Sequence, residues 1–401
     1  MRHGSTSSAP RPGAGGGSKE RPPPSAPRPS SSIILLSPTN QLLLLHRVRT
    51  SSSFASAHVF PGGNLSAFHE GPIPGPDSPA RHRDGEAYRL GAIRETFEES
   101  GILLARRRRR RATPSTTTTS GEGGDQLLLD LPEPVREAGR RAVHAGSVRF
   151  VDWLAGAGGV ADVGGLVPFT RWVTPANMAP RRFTTQMYLY MLPTECPEEE
   201  ECSAEVVGAP VAPGGAVVIP KPTHDGGVEH TAAAFDSVEG WLARARAGEI
   251  ILFPPQMYLL TLLARFLTGP PGGAAAQDEG LRRRHYEGQR DALRAFLARE
   301  PGGEHPTGRI GWADKVMSPR LMFMRRADGR SVLGVDGPGP ELKGSGRGGD
   351  WERVVLVRFG PEGPREVEVR SREEVLEEER EAERREVEED KRAQGRVVGK
   401  L

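Results

Sequence analysis

Apolar positions along the chain fall in short clusters separated by long polar stretches. "IILL" (33 to 36) and "LLLL" (42 to 45) flank Ser37-Pro38-Thr39-Asn40, and two four-residue β-like runs around such a turn predict a hairpin. A third run, "AHVF", stops at Pro61-Gly62-Gly63. From 84 to 105 the apolar spacing changes to three and four residues and predicts a helix, and that spacing returns over 132 to 156. Strands are expected at 169 to 175 and 184 to 193, where β-branched and aromatic residues gather. "EHTAAAF" then leads into a helix for which Asp236 is the expected N-cap. Residues 254 to 267 read as a strongly apolar helix opened by proline.

Beyond Gly269 the chain changes character. A charged helical piece (280 to 299), strand-like "WERVVLVRFG" (351 to 360) and "REEVLEEEREAERREVEEDKR", a charged helix poor in apolar residues, surround the turn cluster "VDGPGPEL" (335 to 342). That cluster either closes over a site or merely joins strands. No internal repeat is present. The expected organisation is a disordered basic tail (1–30), a folded domain (31–268) and a C-terminal extension (269–401) with a small β region and a charged terminal helix. Three polar insertions interrupt the domain, at about 64–83, 106–131 and 194–227, where glycine and proline concentrate. The six arginines of 106 to 111 either grip an anion or belong to a solvated loop.

Charge excludes little by itself. Lys and Arg number 54 against 52 Asp and Glu, a formal net charge of +2, so no global field argues for nucleic acid or an anionic membrane. No apolar run reaches the length of a membrane span. Cys196 and Cys202 flank an acidic run without partners at zinc spacing, which argues against a disulfide scaffold or zinc site. The tail is either a mitochondrial targeting segment or a plain flexible one, and Gly399-Lys400-Leu401 either echoes the peroxisomal Ser-Lys-Leu signal or ends so by chance. Cytoplasm is the alternative compartment.

Candidate chemistry sits in "GAIRETFEESGIL" (91 to 103). At 100° per residue Glu95, Glu98 and Glu99 share about a quarter of the helix circumference, opposite Leu90, Ile93 and Phe97. Clustered carboxylates repel one another. They are either a solvated acidic face or the oxygen ligands of a hard divalent cation, Mg²⁺ or Mn²⁺. Arg94 stands beside them and is expected to pair with Glu86, fixing the start of the helix.

The run from Glu86 through Arg94-Glu95-Thr96-Phe97-Glu98-Glu99-Ser100-Gly101-Ile102, with Phe60-Pro61-Gly62-Gly63 upstream, resembles the Nudix box. It departs from the pattern in two places: Ala80 stands where the leading glycine is expected, and Thr96 replaces an aliphatic residue. The resemblance implies an α/β fold, a Nudix-type α/β/α sandwich with a mixed β-sheet. It also implies metal-dependent hydrolysis of a nucleoside diphosphate linked to another group. By motif position Glu95 and Glu99 are metal ligands, Glu98 shares ligand or base duty, Arg94 and Glu86 orient them, and Gly62 and Gly63 belong to the substrate-binding loop.

"FPGGNLSAFHE" and "RWVTPANMAPRRFTTQMYLY" (171 to 190) resemble the acyl-coenzyme A diphosphatase branch of that superfamily over about residues 31 to 267. That implies a small-molecule substrate, coenzyme A or its esters, cleaved to phosphopantetheine or its acyl form and 3′,5′-ADP. Such a substrate needs cations for its 3′-phosphate, with Arg171, Arg181 and Arg182 as candidates, and an apolar channel, with Trp172, Phe183 and Tyr188 as candidates. The bland alternative makes these aromatics core and these arginines surface. Glu229 is either an added catalytic base or a loop residue without a role. The competing functions are a Nudix pyrophosphatase for ADP-ribose or NADH and a degenerate Nudix module that binds nucleotides or proteins; retention of every box carboxylate counts against the last.

Overall fold

The computed structural model describes residues 25–48, 56–108, 128–176, 181–194, 222–223 and 230–398. Residues 1–24, Cys196, Cys202, Glu229, most of the arginine-to-threonine stretch and the tripeptide ending at Leu401 lie outside the described residues, so the expectations that rest on them are not addressed by the fold.

The predicted hairpin forms between β1 (Arg28–Leu36) and β2 (Leu42–Arg47), with Leu36 opposite Leu42. Two short strands follow, β3 (His58–Val59) on β2 and β4 (Gly62–Asn64) on the first half of β1. After the short helix α1 (Ala67–Glu70) comes α2 (Glu86–Ser100), which stops at Gly101 rather than running on to residue 105. Gly101 adopts the left-handed conformation that ends helices, and the chain beyond enters β5 (Ala105–Arg107). The stretch expected as one helix over 132 to 156 is two, α3 (Glu133–His144) and α4 (Phe150–Gly156). β6 (Gly159–Ala161) pairs with β5.

β7 (Val167–Val173) and β8 (Phe183–Met191) are antiparallel, and β8 runs parallel to β1 over its whole length. β9 (His230–Asp236) pairs with β2. The next helix, α5 (Val238–Arg246), is capped by Ser237 and not by Asp236: the Ser237 hydroxyl accepts from the Gly240 amide, while Asp236 accepts from Ser237. α6 (Pro254–Leu263) opens on proline as expected.

Strict alternation along β1 and β2 builds a layer on each side of the sheet. Ile33, Leu35, Leu43 and Leu45 join Ile93 and Phe97 of α2 and Phe150 and Leu154 of α4. Ile34, Leu36, Leu42 and Leu44 join Trp241 of α5 and Tyr258 and Leu260 of α6. The result is a mixed sheet between helical layers, an α/β/α sandwich.

Residues past 269 are joined to that frame. α7 (Glu279–Ala298) clamps the first hairpin, where Arg290 donates to Asn40 Oδ1 at 2.7 Å and to the Ser37 carbonyl at 2.7 Å. β10 (Val316–Met317) adds to the main sheet beside β7. A second sheet orders β11 (Arg320–Met324), β12 (Ser331–Val335), β13 (Asp350–Gly360) and β14 (Gly363–Ser371) antiparallel in sequence. Leu333, Val335, Val355 and Val357 merge with the α6 core. The last helix, α8 (Arg372–Val398), covers the other face through Val375.

Candidate active site

Three carboxylates on one helical stripe would ordinarily face water. Here Glu95, Glu98 and Glu99 have side chains only 15, 8 and 8 % exposed, because β4, the loop after it and α3 close over the C-terminal half of α2. Burying charge is costly unless it is paired. Arg94 provides the pairing: its Nε lies 2.6 Å from Glu70 Oε1, its Nη1 2.9 Å from Glu98 Oε1, and its Nη2 2.9 Å from Glu95 Oε1, with a further bond to the Asn64 carbonyl. The acid set against Arg94 is therefore Glu70 and not Glu86. Glu86 is exposed at the first turn of α2, eight residues and about 12 Å along the axis from Arg94.

Glu70 closes α1 and also accepts from the Ser66 amide at 2.5 Å. Burial pushes its carboxyl up, and the Arg94 charge opposes that rise. Burial likewise pushes Glu95 up to about 7, again against Arg94, with Glu98 adding to the rise. Arg94 itself is held firmly protonated: burial alone would lower it, but Glu95, Glu70 and Glu98 together raise it.

The two glycines of the Pro-Gly-Gly loop are required by contact. A Cβ on Gly62, whose φ is +154°, would stand 2.3 Å from the Ser31 carbonyl, and one on Gly63 would stand 2.5 Å from the Glu95 carboxylate. With no side chain in the way, the Gly62 amide reaches Glu99 Oε2 at 2.7 Å. Thr96, the departure from an aliphatic residue, is accommodated because its hydroxyl bonds back to the Ala92 carbonyl.

Four further residues complete the site. On α3, Arg140 donates to the Glu98 carbonyl at 2.7 Å, and one turn later His144 Nδ1 stands 3.2 Å from Glu98 Oε2. Their four-residue spacing on an amphipathic segment was the available signal. His230, at the start of β9, places Nε2 3.6 Å from Glu99 Oε1. His69 accepts from the Phe150 amide and ties α1 to α4.

Arg171 and Arg182 do not join this cluster. β7, which carries Arg171, lies three strand spacings from β4, about 14 Å, and both side chains are essentially buried. Trp172 and Tyr188 are core; the Tyr188 hydroxyl donates to Asp84. Phe183 is half-buried at the start of β8.

Among the described residues no three His, Cys, Asp or Glu side chains form a ready-made metal cluster; the carboxylates turn toward Arg94, the Gly62 amide and the two histidines. The donor chemistry nevertheless suits a hard divalent ion. Glu95 and Glu99 offer oxygen ligands on adjacent turns, and three carboxyl groups surround a single guanidinium while Glu99 is held by the Gly62 amide.

A model of the NUDT19 Nudix domain matches residues 80–214. Acyl-coenzyme A diphosphatase NUDT19 of Gallus gallus is 29 % identical over 268 residues, covering 56 % of this chain and 61 % of that one. Putative nudix hydrolase 7 of Caenorhabditis elegans is 27 % identical over 233 residues, 57 % of each chain. The chain thus spans about three-fifths of the curated relatives it matches. Among solved structures, a NUDIX hydrolase from Alicyclobacillus acidocaldarius aligns with a TM-score of 0.41 at 20 % identity, over 59 % of this chain and 90 % of that one.

Two outcomes follow from the geometry. Glu70→Gln removes the buttress of Arg94 and is expected to lower any metal-dependent diphosphate hydrolysis by this chain about 10–100-fold, whereas Glu86→Gln, on an exposed turn, stays within about twofold. Steady-state rates of the two purified variants check this. In metal-free protein Glu95 holds more proton folded than unfolded between its ordinary value of 4.5 and about 7, so its contribution to stability falls as pH rises through that window. Urea denaturation from pH 5 to 8 is expected to show this decline in wild type and a flatter profile in Glu95→Gln.

Proposed function

We propose that this chain, which carries a Nudix domain, hydrolyses the diphosphate bond of coenzyme A or acyl-coenzyme A, giving phosphopantetheine or its acyl form and 3′,5′-ADP. The carrying observation is the buried carboxylate stripe of Glu95, Glu98 and Glu99, locked through Arg94 to Glu70 and through Gly62 to the Pro-Gly-Gly loop. Similarity to a relative named an acyl-coenzyme A diphosphatase supports the choice of substrate.

Glu95 and Glu99 would hold Mg²⁺ or Mn²⁺, which neutralises diphosphate charge and makes water nucleophilic near neutral pH. The chain's own residues set the stage. Arg94 fixes Glu95 and Glu98 in one orientation, and Glu70 fixes Arg94. Glu98, bonded at one oxygen to Arg94 and near His144 at the other, would accept the proton of the attacking water. His144, whose side chain is 44 % exposed, connects that carboxylate to solvent. The Gly62 amide keeps Glu99 from rotating away.

Products resolved by mass decide the matter. With Mg²⁺ or Mn²⁺, coenzyme A is expected to yield 3′,5′-ADP, and Glu98→Gln or Glu99→Gln to lower that rate at least about 100-fold, since the interactions removed supply several kcal/mol to the transition state. Release of AMP from ADP-ribose or NADH, with coenzyme A left intact, would contradict the proposal.

A further inference from the structure

A second concentration of buried charge lies at the opposite end of α2, and nothing in the hydrolytic scheme uses it. Arg81, Arg171 and Arg182 are 9, 0 and 1 % exposed. Their bonds go mostly to uncharged groups. Arg81 donates to the carbonyls of Pro74 and Pro27, at 2.5 and 3.1 Å. Arg171 donates to Thr184 Oγ1 and the Arg83 carbonyl and lies over the Tyr88 ring. Arg182 donates to the carbonyls of Thr174 and Ser25. Nε of Arg81, Nε of Arg171 and Nη2 of Arg182 are buried without a hydrogen-bond partner among the described residues.

One carboxylate meets this group. Glu341, from the "VDGPGPEL" turn of the C-terminal extension, pairs with Arg182 Nη1. Arg347, from the same extension, adds another cation by donating to the His82 carbonyl. His82, bonded to Thr184 Oγ1 at 3.0 Å, registers the positive field: burial first, then Arg171, Arg81 and Arg347, push it down to about 4 against the opposing charge of Glu341. A cavity of about 450 Å³ opens at this point, lined by Asp77, Arg81, His82 and Glu341 among others; Arg171 and Arg182 do not line it, and Arg182 meets it through its pair with Glu341.

Buried guanidiniums with too little counter-charge are costly, and their planar donor forks match phosphate oxygens. We infer that this cavity binds a phosphate monoester, which replaces the Glu341 carboxylate as the counter-charge of Arg182 and supplies one to Arg81. The volume admits a phosphate with an attached sugar. Glu341 is then the resident competitor, held there by the turn, and a dianion outbids it because it brings twice the charge. Two sources share this chemistry. One is the 3′-phosphate of the substrate, which rests on the function proposed above; the other is a separate small phosphate.

Calorimetric titration of the full chain with inorganic phosphate and with 3′-AMP, at fixed ionic strength and with EDTA present, tests the inference without turnover. Glu341→Gln removes a partly exposed competitor and is expected to tighten binding of at least one of these probes by about tenfold. Arg182→Gln is expected to abolish it, with circular dichroism confirming the fold. Should that variant not fold, Glu341→Gln decides alone. Unchanged affinity in Glu341→Gln, or no binding of either probe to wild type or variant, overturns the inference.

The two sources separate in kinetics. If Glu341→Gln alters KM for coenzyme A but not for dephospho-coenzyme A, the site takes the substrate's own phosphate. If the KM ratio is unchanged while a probe binds more tightly, the ligand is a separate phosphate. Tightened probe binding in a chain that leaves coenzyme A intact would sink the function proposed above and leave this site standing.

Discussion

A guanidinium packed among three carboxylates is stable only where the surrounding backbone holds every partner in place, and Arg94 is in that position. Remove Glu70 and the cation loses the bond that fixes its Nε; remove Arg94 and the remaining acids repel one another in a poorly solvated space. Each neighbouring element can be understood as support for this contact. The Pro-Gly-Gly loop comes close enough for a backbone amide to hold Glu99, which only glycines permit. α1 exists to bring Glu70 back over the helix. α3 crosses so that Arg140 and His144 both touch Glu98, one at its carbonyl and one at its carboxylate.

The same economy runs through the larger frame. Alternation along β1 and β2 gives the sheet two buried faces, so α2 packs on one of them through its own Phe97 and Ile93 while its acidic stripe is covered from in front. On the far face the α6 core continues into the second sheet through Val355 and Val357. Residues of the C-terminal extension also reach back to the first hairpin through Arg290, to the insertion through Arg347 and to the start of β8 through Glu341. Charge placed there is therefore coupled to the frame that carries the carboxylate site.

Much of this was legible from sequence because it depends on local pattern. Four-residue apolar runs around a turn gave the hairpin, and three- and four-residue spacing gave α2 with its acidic stripe. What escaped depends on distance through space. Counting eight residues back from Arg94 selects Glu86, yet the insertion between Glu70 and α2 loops out and returns the chain beside its starting point, so a residue 24 positions away becomes the partner. The end of "FPGGNLSAFHE" held that residue in view without a local reason to choose it. Arg171 and Arg182 read either as phosphate-binding cations or as surface ones, since nothing local shows that carbonyls from the insertion and the N-terminal segment will enclose them. His144 and His230 reach the site only through tertiary packing.

On the function proposed above, Glu95 on Arg94 and Glu99 on the Gly62 amide would together hold one divalent ion. Titration of the metal-free chain with Mn²⁺, followed by the paramagnetic signal of the free ion, measures this directly. Saturable binding that is lost in the Glu95→Gln, Glu99→Gln double variant and weakened in Glu70→Gln is the predicted result. Binding of equal strength in all three proteins, or none in wild type, would contradict it.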